Sequence, residues 1–341
     1  MTRPRVTTAL LLITCFLTVL PVLRAQPGKA PIPVIFDTDI GSDIDDTWAL
    51  ALLLASPELD LKMVVTDSHD VVGRAKIAAK FLQAVGRTDV QIGIGKRMDD
   101  KGGPQFEWAA DYDLKSYPGK VHDDGVDAMI KLIMASSQPV TLIVVGPAPN
   151  IEEALQREPG LTKKARIVAM SGSVYKGYGN KSQPEPEYNV KDHVSSSAAM
   201  YRAAWPVLIA PLDTAGLIQL DGEEYRKVFE ADNPLCRTLL QNYRVWLKNQ
   251  RTTLNFRRQS STLFDCLAVF LAYSNEFVKI ERIKLEVTPD GMTRVSESGN
   301  PIDVAVEWTD LEGFERMLAD RLARGVAKPP RPPVRGSMRP R

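Results

Sequence analysis

The sequence predicts an α/β fold: a single domain on an open, mostly parallel sheet with helices on both faces. Three observations predict it. Apolar runs of strand length alternate with helix-length segments over most of the chain, the order of βαβ units, which implies a sheet covered on both sides. The 341 residues, 44% apolar and 25% charged, suit one large globular domain or two small ones. The acidic and Gly-rich clusters fall where the apolar runs end: Asp37 and Asp39, Asp67 to Asp70, Gly146 to Asn150, Ser171 onward, and Asp213. Open α/β sheets bind ligands beyond the carboxyl ends of their strands.

Residues 26–33 form a Pro-containing linker, and "PVIFDTD" then reads as a buried strand. "DDTWALALLLAS" reads as a helix with Asp45 and Asp46 near its first turn and Ser56-Pro57 past its end. "LDLKMVVTDS" is a second strand, "GRAKIAAKFLQAVG" a helix closed by Gly86, and "VQIGIG" a third strand. A Gly- and acid-rich loop, 96–124, follows. Next come helix "VDAMIKLIMAS", strand "VTLIVVG", helix "NIEEALQ", strand "ARIVAMSG", a second long loop over 172–192, helix "SSSAAMYRAA" and strand "WPVLIAPL". "YRVWLKNQ" belongs to an amphipathic helix that turns Trp246 toward the core. No internal repeat is present. The tail over 326–341, "AKPPRPPVRGSMRPR" with Val326 before it, is Pro/Arg-rich and reads as disordered.

The N-terminal stretch "MTRPRVTTALLLITCFLTVLPVLRAQ" has basic Arg3 and Arg5, an apolar run from Ala9 to Leu20, and a cut position after Ala25. It reads as a secretory signal over 1–25, because the run is short for a bilayer core; an uncleaved anchor is the alternative. The domain then spans 26–325, secreted or periplasmic, with no membrane span in the mature chain. Removing Arg3, Arg5 and Arg24 changes the formal charge from +1 to −2. Neither value makes a field that would draw nucleic acid or an anionic membrane. Cys236 and Cys266, thirty residues apart, make neither a disulfide framework nor a zinc spacing and read as buried free thiols.

"VIFDTDIGSDIDDTWALALLL" places Asp37, Asp39, Asp43, Asp45 and Asp46 within ten residues, between two apolar runs. Buried like charges repel unless something neutralises them. A helix N-terminus satisfies one or two carboxylates. A hard divalent cation, calcium above all, accepts six to eight oxygens and accounts for the others. An EF-hand loop is a poor match, since Trp48 stands where its closing glutamate belongs.

Two families resemble this stretch. A strand ending in D-x-D resembles the nucleophile motif of haloacid-dehalogenase-type phosphatases, but Gly41 stands where that family has Thr or Val. The fuller pattern, D-x-D-x-G-x-D-x-D-D before an apolar helix, resembles the nucleoside hydrolases, with two extra residues around Asp43. That resemblance continues in order through "VHDDGVDAMIKLI", "VVGPAPNIEEAL", "MSGSVYKGYGNKSQPEPEYNVKDH", "APLDTAG" and "LFDCLAVFLAYSNEF", over about residues 32 to 310.

The resemblance implies calcium-dependent hydrolysis of the N-glycosidic bond of ribonucleosides or related N-ribosides, in an enzyme that forms a homodimer or homotetramer. It implies that Asp39, Asp46, Asp265 and the backbone carbonyl of Pro149 hold the metal. It puts Asp45 at the ribose hydroxyls and Asp70, Asn180, Glu187 and Asn189 around the substrate. Asp39 would be the general base. Many members carry a His before the late metal-binding Asp, where this chain has Phe264. Of its other histidines, His122 matches a family position and is the candidate proton donor; His69 is expected to support the site from behind, and His193 to start a helix. Tyr175, Tyr178, Trp108 and Trp246 are the aromatics that could stack on a base. Two other readings are a calcium-dependent nucleoside-binding protein without turnover and a D-x-D phosphatase.

Overall fold

The computed structural model describes residues 30–250 and 252–327. The signal expected over 1–25 and nearly all of the tail lie outside the described residues.

Along the chain run β1 (Ile32–Thr38), α1 (Asp45–Leu54), β2 (Leu59–Thr66), α2 (Val71–Ala84), β3 (Gln91–Ile94), β4 (Val121–His122), α3 (Gly125–Ala135), β5 (Val140–Val144), α4 (Pro149–Arg157) and β6 (Ala165–Met170). There follow α5 (Tyr188–Asp192), α6 (Val194–Arg202), β7 (Val207–Ala210), α7 (Leu212–Ala215), α8 (Gly222–Glu230), α9 (Pro234–Asn249), α10 (Cys266–Leu271), β8 (Val278–Val287), β9 (Thr293–Val295), β10 (Asn300–Trp308) and α11 (Leu311–Arg324).

The strands form one sheet in the order β4-β3-β2-β1-β5-β6-β7-β10-β8-β9. From β4 to β10 every neighbour is parallel; β8 pairs antiparallel with β10 and with β9. The chain winds outward from β1 through β2, β3 and β4, then returns to the other side of β1 to lay down β5, β6 and β7. The gap between β1 and β5 is therefore the switch point, where the connections on either side diverge and leave a crevice. The Asp-rich turn emerges there.

Alternate residues of β1 feed two cores. Val34 and Phe36 join the larger one with α1, α2, α9, α10 and α11, and Ile35 joins that of α3, α4 and α6. All ten residues of α1 are buried, because α9, α10 and α11 cover the face turned from the sheet. Cys236 and Cys266 are free and buried, as expected.

The structure departs from the expected elements in three places. The loop expected over 172–192 ends in α5, whose first turn is capped by Glu187. The loop over 96–124 contains the two-residue strand β4. The sheet also carries an antiparallel edge, β8 to β10, that reads from sequence as a run of alternating charge ("VKIERIKLEV"). Charged side chains suit a sheet edge because they discourage pairing with another chain.

Candidate active site

At the carboxyl end of β1 the chain must turn sharply to start α1. Gly41 permits it: its φ is +116°, and a Cβ there would lie 2.7 Å from the Phe106 ring. The Thr38 hydroxyl accepts from Ile40 N (3.1 Å) and donates to the Asp46 carboxylate. The two extra residues of the turn are held from outside. Gln105, fully buried, donates to the Asp43 carbonyl while its Oε1 accepts from Thr47 Oγ1 (2.8 Å) and Asn242 Nδ2 (2.9 Å). Asp43 itself accepts from Ile44 N at 2.7 Å.

Asp39, Asp45, Asp46 and Asp265 all open into one cavity of about 410 Å³, within the usual range of small-molecule sites. Its floor is buried and polar; Glu187, Asn189, Met170 and Val145 complete it. Its mouth is half-exposed and partly aromatic, with His69, Tyr178, Tyr188, Phe264 and the Lys101–Pro104 segment. Tyr178 and Phe264 meet edge to face, their centroids 6.1 Å apart. Tyr178 Oη is anchored by Tyr188 N (2.8 Å).

One cation answers this charge from within the fold. Arg74, 2% exposed on α2, donates to the Ile40 carbonyl (3.1 Å), Ser42 Oγ (2.9 Å) and the Ser68 carbonyl (3.3 Å), and stands 3.7 Å from Asp39. Against it stand six buried aspartates: Asp37, Asp39, Asp45, Asp46, Asp67 and Asp265. Burial, and then mutual repulsion, raises Asp45, Asp46, Asp67 and Asp265 well above the usual carboxylate range. Burial raises Asp39 against the pull of Arg74. Asp37 is pushed up to about 7 by burial, tempered by the bond from Asn150 Nδ2 (2.6 Å). Asp37 Oδ2 and both oxygens of Asp67 are buried without a hydrogen-bond partner among the described residues.

Such a group cannot ionise together without further positive charge. Asp45, Asp46 and Asp265 bring one carboxylate oxygen each within 4.8 Å of one another, all buried. That all-oxygen donor set fits a hard divalent cation.

The structure distributes the residues expected from sequence as follows. Asp39, Asp45, Asp46, Asp265, Glu187 and Asn189 meet in the cavity. Asp45, expected at the sugar hydroxyls, is one of the metal-ready trio; Asp39, expected among the ligands, lines the same cavity beside Arg74. Glu187 is fixed by Gly172 N (3.0 Å), Asn189 N (2.8 Å) and Val190 N (3.2 Å), and burial still raises it to about 7. Asn189 Nδ2 donates to the carbonyls of Val145 (3.0 Å) and Met170 (3.2 Å), tying the ends of β5 and β6 together.

The structure does not bring the other four into the cavity. Pro149 opens α4 and lines a separate depression with Lys96, Glu152 and His193. Asp70 caps α2, accepting from Gly73 N at 3.0 Å. Asn180 is exposed in a left-handed turn, φ +60°. His122, the expected proton donor, sits on β4 at the edge of the sheet, three strands from β1, its Nε2 2.7 Å from Gln91 Oε1.

Of the aromatics, only Tyr178 lines the cavity. Tyr175 is exposed, Trp108 packs against Phe81, and Trp246 stacks on Tyr243 in the core. Sequence reasoning missed Arg74 and the mouth residues Tyr188, Lys101 and Gln250. A cation inside the apolar pattern "GRAKIAAKF" was the available signal for Arg74.

A carboxylate-floored pocket at the switch point of a parallel sheet, polar below and aromatic above, defines an α/β enzyme built to hold a polar small molecule beside a cation. Comparison with known proteins narrows the class. The family described as inosine-uridine preferring nucleoside hydrolase matches residues 34–316. The chain belongs to that family and is a ribonucleoside N-glycosidase. It is 28% identical over 312 residues to the pyrimidine-specific ribonucleoside hydrolase RihA of Enterobacter sp. (strain 638), covering 86% of this chain and 98% of that protein. Among solved structures it resembles the plant nucleoside hydrolase PpNRh1 (TM-score 0.74, 19% identity, 86% of this chain and 99% of the other). It also resembles the purine-preferring ribonucleoside hydrolase from Gardnerella vaginalis (TM-score 0.72, 21% identity, 86% and 98%). The D-x-D of β1 thus belongs to a glycosidase and not to a phosphatase.

Proposed function

We propose that the enzyme hydrolyses ribonucleosides to free base and ribose in a calcium-dependent manner, with Asp45, Asp46 and Asp265 holding the ion and Asp39 acting as general base. The observation that carries this reading is the meeting of four buried carboxylates, from the turn after β1, the first turn of α1 and the residue that caps α10, in one cavity, with a single buried Arg against them. Bound calcium would orient the ribose diol and a water and make that water more acidic.

The chain's own residues supply the rest. Cleavage of the C1′–N bond develops positive charge on the sugar, and the acidic floor stabilises it. Asp39 accepts the proton of the attacking water. Arg74 keeps Asp39 in place and favours its ionised form. Glu187 and Asn189, clamped to the ends of β5 and β6, offer fixed hydrogen-bonding groups to sugar hydroxyls. Met170 and Val145 exclude water from beneath the sugar, while the Tyr178–Phe264 pair faces the base at the mouth.

The test is base release from uridine, cytidine and inosine, followed by chromatography. Activity should disappear with a calcium chelator and return with Ca²⁺. Undiminished activity in chelator would overturn the metal assignment; intact nucleoside bound without turnover would overturn the reaction. We further propose that residues 1–25 are removed on export, so that the intact mass of the exported protein begins at Gln26.

A further inference from the structure

A departing base must gain a proton as the C1′–N bond breaks, and Phe264 at the mouth carries none to give. The chain has three histidines, and His69 is the one that lines the cavity. His69 Nδ1 lies 3.0 Å from both carboxylate oxygens of Asp99. Its other nitrogen, Nε2, is buried and has no hydrogen-bond partner among the described residues. Unpartnered buried polar atoms are rare in native folds, and a catalytic role is one reason a fold keeps one. Ser68 and His69 are both held at positive φ, +55° and +43°, unusual for consecutive residues other than glycine. Arg74 Nε bonds the Ser68 carbonyl (3.3 Å) and Ser68 Oγ bonds Asp192 (3.2 Å), so the strained turn is fixed from both sides. A hydrogen bond from Lys101 N (2.8 Å) to Asp99 Oδ1 favours the ionised carboxylate. Asp99 thus holds one nitrogen of an imidazole whose residue lines the cavity, the arrangement that fixes a histidine's tautomer and ring orientation.

Resting on the N-glycosidase reading above, we infer that His69 is the proton donor to the leaving base and that Asp99 is its positioning residue. The C1′–N bond breaks with its electron pair going to the base. The water oxygen bonds C1′ and releases one proton to Asp39. The Nε2 proton of His69 moves to a ring nitrogen of the base or to an oxygen conjugated with it, so the base leaves neutral. Solvent then carries the proton from Asp39 back to His69, which closes the cycle.

The test compares uridine with 4-nitrophenyl β-D-ribofuranoside, whose phenolate leaves without protonation. His69→Ala should lower kcat on uridine by about 10²- to 10⁴-fold, the range of general acid catalysis. It should lower kcat on the nitrophenyl riboside by at least ten-fold less, with calcium affinity retained. Added imidazole should recover part of the uridine rate. Asp99→Asn, on an exposed loop, should show the same selectivity at smaller size, in kcat more than KM. Equal losses on both substrates, or a selective loss in Tyr188→Phe and not in His69→Ala, would overturn the role of His69 while leaving the hydrolase reading intact. A wild-type enzyme that splits the nitrophenyl riboside but no nucleoside would also overturn it. One that splits neither would overturn both.

Discussion

Two charged regions of this molecule are arranged by opposite rules. Along the sheet edge, charge is exposed and paired: Arg282 bonds Asp303 directly across β8 and β10 (2.9 Å), Lys284 meets Glu297 (3.0 Å), and Lys279 meets Glu281 (2.6 Å). At the switch point, charge is buried and unbalanced: six aspartates face one arginine. The edge needs nothing from outside, and each of its pairs contributes about 0–1 kcal/mol. The switch point lacks an equal positive charge inside the fold, which is why a bound cation is proposed there. Paired surface charge guards a sheet edge; unpaired buried charge of one sign marks the place where chemistry is done.

The largest expected break in this contrast comes at Asp39. Asp39→Asn keeps the volume and removes the base, so kcat on uridine should fall by about 10²- to 10⁴-fold, while a ribose analogue still binds by calorimetry. Unchanged turnover would remove Asp39 from the mechanism.

Next in size is the stability of the metal-free protein. Asp37 rises from the ordinary 3.8 to about 7 and Glu187 from 4.5 to about 7, in each case through burial. Above the unfolded values the unfolded chain loses protons that the native state still holds, so native stability falls as pH rises from about 4 through 7. For Asp37 alone the loss is at most roughly 4 kcal/mol. Chelated protein should therefore melt higher at pH 5 than at pH 7.5, and Ca²⁺ should reduce the difference. A metal-free melting temperature that rises over that interval would contradict this.

The smallest effect belongs to the edge. Arg282→Ala should cost about 1 kcal/mol or less by urea unfolding and leave kcat unaltered. A larger loss would mean that the two regions are coupled.

The same contrast decides what could be read from the sequence. Six of the eight strands with parallel partners, β1, β2, β3, β5, β6 and β7, were legible because each is a short apolar run ending in an acidic or Gly-rich cluster, and those endings located the crevice. Asp39, Asp46, Asp265, Glu187 and Asn189 were found because resemblance supplied their order along the chain, and the fold brings them together. His122 and Pro149, also taken from motif positions, do not line the cavity. Matching a position in a motif fixes neighbours along the chain, whereas His122 lies on the edge strand β4 and Pro149 lines a second depression at the start of α4. Asp70 was expected around the substrate, and the structure uses it as the cap of α2. Arg74 and His69 work through contacts with Ser42 and Asp99, about thirty residues away, which local pattern does not encode. The β8–β10 edge was hidden because alternating charge carries a weak apolar signal.

The central claim is that Asp45, Asp46 and Asp265 gather one calcium ion at the switch point. Titration calorimetry with Ca²⁺ on chelator-stripped wild type and Asp265→Asn tests it most directly. One ion bound per wild-type chain, with affinity lost or cut by at least ten-fold in the variant, is the result expected. A folded wild type that takes up no calcium, or a variant that binds it as tightly, would contradict the claim.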